Sequence, residues 1–168
     1  MKKSVVDLSD LQEIAPFFKT KFGIFLGKII IKWLGIKKVN DIHAKHCHLR
    51  GADFTTALLQ DPLMDIKYNV HNAELLDTLP EGAFITISNH PFGHIDGIML
   101  IDIFAARRSD FAVMVNGVLT KIGAMEDNFI SVQPDSKNRG ANVANVNGVR
   151  TSLESLKSGH PMGFFPAG

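Results

Sequence analysis

The pattern of apolar and polar positions changes character partway along the chain. Residues 1–50 read as helical. Ser9 and Gln12 stand at capping-box spacing, and Pro16 breaks the chain before a second helix over residues 17–34. Gly35 interrupts that helix, a shorter helical piece follows over 39–48, and 54–59 adds a further turn or two. After about residue 64 the apolar residues gather in short runs. Residues 66–71 alternate weakly and predict a strand. Residues 73–78 predict a short helix stopped by the turn Pro80-Glu81-Gly82.

The remainder alternates strand and helix. The run 83–88 (AFITIS) predicts a buried strand, 96–106 an apolar helix, and 111–115 (FAVMV) a second buried strand. A short helix over 118–125 and a third strand over 129–132 follow. Residues 142–158 predict an amphipathic helix, with Val146, Val149, Leu153 and Leu156 at 3-4-3 spacing and Gly159 placed to cap it. Residues 162–165 (MGFF) predict a fourth strand. Strands alternating with helices predict an α/β fold: a mainly parallel sheet with flanking helices, beside a helical, amphipathic N-terminal region. The polar stretch 134–144 (PDSKNRGANVA) is the best candidate for a mobile loop.

Composition narrows this picture. A chain of 168 residues, 45% hydrophobic and 21% charged, can bury a core and is neither disordered nor collagen-like. The net charge of +1 gives no global field for nucleic acid, and none is expected as a partner. The single cysteine, Cys47, excludes an internal disulfide framework and fits a reducing compartment. The N-terminus lacks a signal-peptide pattern, and no stretch reaches the roughly 18–20 apolar residues of a spanning helix.

Charge is unevenly placed. Residues 17–38 hold six lysines (19, 21, 28, 32, 37 and 38) and no acid, interleaved with Phe17, Phe18, Phe22, Phe25 and Trp33. At about 100° per residue Lys21, Lys28 and Lys32 share one side of a helix. A basic stripe on a greasy helix is the pattern of a segment lying on an anionic bilayer; a core helix with snorkelling lysines is the plainer reading.

The densest chemistry is Ser88-Asn89-His90-Pro91-Phe92-Gly93-His94-Ile95-Asp96-Gly97, which follows a buried strand and opens a helix. Ligands gather at such strand ends in α/β folds. Histidine can act as a general base near neutral pH, and a following aspartate can hold its tautomer and stabilise the imidazolium. Backbone N–H groups at a helix start can face a developing oxyanion, here around Phe92 and Gly93. The bland alternative makes Asp96 a helix cap and leaves His90 in a polar niche. His94 is a rival base, disfavoured by its close spacing to Asp96.

The segment ITISNHPFGHIDG resembles the first motif of the lysophospholipid (glycerolipid) acyltransferase superfamily, in which Asn-His is followed shortly by Asp. The usual gap is four residues; His90 and Asp96 are separated by five. This longer form is similar to the branch of haemolysin-like proteins and bacterial ornithine and glycine lipid N-acyltransferases. Phe165-Pro166-Ala167-Gly168 resembles a second motif, Phe-Pro-Glu-Gly, with Ala167 in place of the glutamate, as in that branch. Residues 128–134 (NFISVQP) stand where the family places a strand between the two. The resemblance spans about residues 33–168.

The resemblance implies a glycerolipid acyltransferase-like enzyme with His90 and Asp96 catalytic. It places Asn89, Phe92, Gly93, Phe165, Pro166, Ala167 and Gly168 around the substrate. A fatty acyl group would pass from an acyl carrier protein or coenzyme A thioester, with no bound cofactor and no metal, to an amine such as that of ornithine or glycine, or to a hydroxyl. The missing glutamate and following Arg/Ser positions weaken glycerol phosphate as acceptor. The expected setting is a lipid surface, peripherally at the cytoplasmic face of a bacterial inner membrane. Residues 1–50 would serve membrane association and 51–168 would form the front of an acyltransferase domain, truncated at Gly168. Alternatives are a non-catalytic lipid-binding module, a glycerophospholipid O-acyltransferase, and a hydrolase, the last lacking a Gly-x-Ser-x-Gly elbow.

Other residues carry weaker readings. His43, His46, Cys47 and His48 lack a second ligand pair for zinc and are expected as solvated histidines. Arg150, Lys137 and Arg139 are candidate phosphate contacts or plain surface residues. Asn116-Gly117 reads as a turn. Gly23 and Gly27 form a small-xxx-small pair suited to helix packing.

Overall fold

The computed structural model describes residues 4, 5, 7–33, 35–116, 119, 122–132 and 139–166, with the backbone alone at 13, 14 and 139–144. Helix α1 (Leu8–Ile14) begins at Asp7, whose carboxylate accepts the Ser9 N–H at 2.9 Å while Asp10 accepts the Asp7 N–H at 2.7 Å. The capping box therefore starts two residues before the Ser9–Gln12 pair, because aspartate at both ends can satisfy the orphan N–H groups. Gln12 instead donates to the Phe18 carbonyl at 3.3 Å. Pro16 opens a 3-10 turn (Pro16–Lys19), and α2 (Lys21–Trp33) and α3 (Ile36–His46) follow. Gly35 lies between them at φ 68°, left-handed backbone that glycine adopts without strain.

Helix α4 (Gly51–Leu59) packs on α5 (His94–Ala105), and α5 packs on the sheet. The sheet holds β1 (Ile85–Ile87), β2 (Ala112–Asn116), β3 (Phe129–Val132) and β4 (Met162–Phe164), all parallel, in the order β1-β4-β2-β3. Parallel pairing follows from the crossover connections through α5 and α6 (Arg139–Lys157). The fold is α/β, as the alternation predicts. One sheet face buries Phe54, Leu100, Ile101, Phe111, Val113, Val115 and Met125; the other gathers Ala112, Ile130 and Met162 against Leu156 and Phe164. Arg108 ties the strand entries together, donating to the carbonyls of Pro80 at 2.6 Å, Gly82 at 2.9 Å and Gly159 at 3.1 Å.

Four expectations are corrected. The strand expected to be buried over 83–88 is the edge strand β1, where Ile85 and Ile87 are exposed. Residues 66–70 carry no regular secondary structure and His71 lies in a turn: the Ile66 N–H goes back to the Leu59 carbonyl and the Tyr68 hydroxyl to Asp102, so the segment lies over helices. The helix expected over 118–125 is described only in part, where a 3-10 helix runs from Gly123 to Asn128; residues 117, 118, 120 and 121 lie outside the described residues. On α6, Val146, Val149 and Leu153 are exposed, and of the 3-4-3 series only Leu156 meets the core. The helix approaches β3 through Gly148 and Ser152 instead, so closely that a Cβ on Gly148 would stand 2.6 Å from the Ser131 carbonyl oxygen.

Candidate active site

Strand β1 ends two residues before Asn89, and the chain turns over Pro91–Gly93 into α5. Gly93 carries that turn at φ 63°, a conformation L side chains rarely adopt. The Ser88 N–H donates to the Phe164 carbonyl at 3.1 Å, which registers the end of β1 against the end of β4. Residues distant in sequence thereby meet at one sheet edge, the carboxyl ends of parallel strands, where α/β folds keep their sites.

His90 and Asp96 come together there. Nδ1 of His90 lies 3.3 Å from Oδ2 of Asp96. Asp96 is buried, and the His90 side chain is 27% exposed, so the imidazole remains reachable. The contact is a close approach rather than an aligned hydrogen bond, for Nδ1 has no hydrogen-bond partner of good geometry. The same Oδ2 also accepts the Phe92 N–H at 2.9 Å. A carboxylate beside Nδ1 favours the tautomer with the proton on that atom, which leaves the Nε2 lone pair as the basic position. A small rotation of the imidazole would complete the bond, and such tightening on substrate binding is common.

The Phe92 N–H is therefore committed to Asp96 and not free for an oxyanion, contrary to the sequence-based expectation for that amide. The first turn of α5 still has N–H groups without intrahelical acceptors, as every helix start does. The Phe92 side chain points into solvent, and Asn89 and Pro166 are exposed. Phe165 lies with its ring centroid 4.3 Å from that of His90. Ala167 and Gly168 fall outside the described residues. His94 opens α5 in an exposed position, and Asp96 turns to His90 and Phe92 instead.

The remaining candidates sort by position. Arg150 pairs with Glu154 at 2.8 Å on the outer side of α6. Asn116 is the last residue of β2; Gly117 and Lys137, like the Arg139 side chain, lie outside the description. The histidine cluster is corrected: His43 is buried with its ring 5.8 Å from Phe54, and His46 Nε2 lies 2.9 Å from Asp61 Oδ2, leaving only His48 exposed. These rings sit on the side of α3 facing α4, which the sequence pattern did not reveal. Among the described residues no group of three or more His, Cys, Asp or Glu side chains is placed to hold a metal ion. No helix among them is long and apolar enough to cross a membrane.

One polar cluster escaped the sequence reading. Asp102, on α5, accepts hydrogen bonds from the hydroxyls of Thr55, Thr56 and Tyr68 beside a cavity of about 360 Å³. Burial, and then the adjacent carboxylate, push the Tyr68 phenol well above its ordinary value. The available signal was an acid in the apolar run LIDIF. Three neutral donors satisfy that carboxylate and join α4, α5 and the 66–70 segment.

The paired imidazole and carboxylate can perform general base chemistry on an incoming nucleophile. No curated protein and no solved structure matches the chain. A family model described as acyltransferase matches residues 10–168, nearly the whole chain, and the chain belongs to that acyltransferase family.

Proposed function

We propose that this chain works at a lipid surface and moves a fatty acyl group from an acyl carrier protein or coenzyme A thioester to an amine, in the manner of the ornithine and glycine lipid N-acyltransferase branch. The observation that carries the reading is the approach of His90 to Asp96 at the mouth of β1, within a chain of acyltransferase family. Nε2 of His90 takes a proton from the acceptor amine as its nitrogen attacks the thioester carbonyl. The C–N bond forms, the negative charge on the carbonyl oxygen faces the first-turn N–H groups of α5, and collapse breaks the C–S bond. The imidazolium returns its proton to the leaving thiolate, so the products are an amide and a free thiol. Asp96 steadies the imidazolium between those two steps.

The lipid-surface part rests on α2. Its buried residues are Gly23 and Gly27, while Phe22, Phe25, Ile29 and Trp33 are exposed in one stripe, and Lys21, Lys28 and Lys32 are exposed alongside. Aromatic residues flanked by lysines suit the interface of an anionic bilayer. We place the attachment peripherally at a cytoplasmic membrane face, in line with the family resemblance; the lysines suit the anionic lipid of such a leaflet.

The deciding experiment is thioester consumption by the chain with an amine acceptor and anionic vesicles, compared with His90→Ala. Removing the base lowers the rate by about 10²–10⁴-fold. A rate that His90→Ala leaves untouched refutes the proposal. Vesicle binding without any acyl transfer would instead favour a non-catalytic lipid-binding module, the reading that the α2 surface supports on its own.

A further inference from the structure

The carboxylate of Asp96 does not by itself fix the imidazole of His90. Its Oδ2 is engaged by the Phe92 N–H at 2.9 Å, and Nδ1 stands 3.3 Å away without an aligned hydrogen bond. Torsions such as χ2 of histidine are broad, so a ring held at one weak contact can swing. In this site it is held from another side. The Phe165 ring lies 4.3 Å, centroid to centroid, from the imidazole with 33° between the planes, a close tilted ring-on-ring contact.

Phe165 is itself well fixed. It is partly buried and packs against the main core cluster. Its Cε2 edge lies along Gly97, where a Cβ would stand 4.0 Å away, one residue beyond Asp96. It follows β4 directly, and the residue before it accepts the Ser88 N–H at 3.1 Å. The same ring thus touches the imidazole and the first turn of the helix that carries the carboxylate, and it stands on the strand bonded to the segment that delivers His90.

We propose that Phe165 is the positioning residue of the site. Its ring keeps the His90 imidazole in the plane that turns Nδ1 toward Asp96 and Nε2 toward the substrate, and it shields that face from water. A wrong ring plane would misplace the base without removing it. The loss then falls on kcat, with KM unchanged, since Phe165 acts on the base and not on the bound acceptor. The kinetic consequence rests on the acyl-transfer reading; the positioning of the ring does not.

The test is made on the full chain, with two independent readouts. In solution NMR, the Phe165 ring packed against His90 displaces the imidazole C–H resonances upfield, and nitrogen shifts report a single tautomer with the proton on Nδ1. Phe165→Leu returns the proton resonances toward ordinary positions and mixes the tautomers, while Phe165→Tyr, which keeps the flat face, preserves both signatures. In the thioester assay Phe165→Leu lowers kcat by about 10–100-fold, and Phe165→Tyr recovers most of the rate. Phe165→Met, of similar bulk and without a flat face, replaces the leucine variant if that variant loses its fold. A folded Leu or Met variant with the wild-type tautomer and kcat overturns the proposal, as does a wild-type His90 without the upfield displacement. NMR signatures as described in a chain that transfers no acyl group would uphold the positioning and refute the acyl-transfer reading, so the two fail separately.

Discussion

In α5, Ile101 is fully enclosed, Leu100 and Ala105 are buried, and even Asp96 and Gly97 are covered. In α2, Trp33 is 85% exposed and Phe22 67% exposed, and the only buried residues are two glycines. Both helices are rich in isoleucine, leucine and phenylalanine. The difference lies in what each can approach. Helix α5 has α4 on one side and the sheet on the other, so its large side chains find cavities to fill. Among the described residues helix α2 packs mainly against the elements before and after it, and it meets α1 and the Pro16–Lys19 turn along its glycines. A Cβ on Gly23 would stand 2.0 Å from the Phe17 carbonyl oxygen, and one on Gly27 2.8 Å from Leu8 Cδ1. Close backbone contact on one side of α2 leaves its aromatics on the other. Apolar content therefore measures how much surface a helix must hide and says nothing about whether the protein or an external phase hides it.

The comparison can be broken by substitution. The largest expected effect on stability is in α5: Ile101→Ala leaves a cavity and lowers unfolding free energy by about 2–5 kcal/mol, as urea denaturation would show. A loss below about 1 kcal/mol would mean that the α5 interface is looser than the enclosure of Ile101 implies.

The joint between the two regions comes next. Asp61, at the turn after α4, is buried and receives Lys45 at 2.8 Å, the Leu63 N–H at 3.0 Å and His46 at 2.9 Å, so it fastens α3 to the α/β layer. The Lys45 hydrogen bond, then the Leu63 N–H and His46, hold its carboxyl far below the ordinary value of 3.8. The unfolded chain takes up that proton first. The stability Asp61 supplies is thus complete above the ordinary carboxylate range and fades as pH falls through it toward the lowered folded value. Asp61→Asn is expected to be less stable than wild type near pH 7, with the difference shrinking near pH 3. A constant difference between the two would assign the effect to lost hydrogen bonds alone.

The smallest effect on stability is in α2. Trp33→Ala changes unfolding free energy by no more than about 0.5 kcal/mol, because the side chain is already in water. On the lipid-surface proposal it nevertheless weakens binding to anionic vesicles by about tenfold, as expected for one large apolar side chain leaving an apolar phase. Replacing Lys21, Lys28 and Lys32 by glutamine removes the preference for anionic over neutral vesicles and its salt sensitivity. A Trp33→Ala variant that loses stability but keeps its vesicle affinity would reverse the assignment of α2.

The alternation of short apolar runs with helical segments was enough to read the α/β class, the four strands and the helix around Asp96, since a parallel strand and its crossover leave the same mark in any chain; it did not tell that β1 lies at the sheet edge with Ile85 and Ile87 exposed. The site around His90 and Asp96 was legible through the resemblance of its motif to the acyltransferase family; the spacing within one turn-and-helix unit left a plain helix cap open as well. Residues 66–71 misled because weak alternation does not say whether a segment has a strand beside it to pair with. Val146, Val149 and Leu153 misled because helical periodicity does not choose between an apolar face and a small-residue face when the neighbour comes very close, as β3 does at Gly148. The loss of the Phe92 N–H to Asp96 is local but hidden in the φ of Gly93 and the start of α5. Two features belong to the tertiary structure alone. The burial of His43 and the pairing of His46 depend on α4 and the Asp61 turn. The ring contact of Phe165 with His90 joins residues 75 positions apart in the chain (165 against 90), through a strand register that no local pattern encodes. Local spacing carries the chemistry that one loop and one helix can hold; contacts across strands exist only once the sheet has formed.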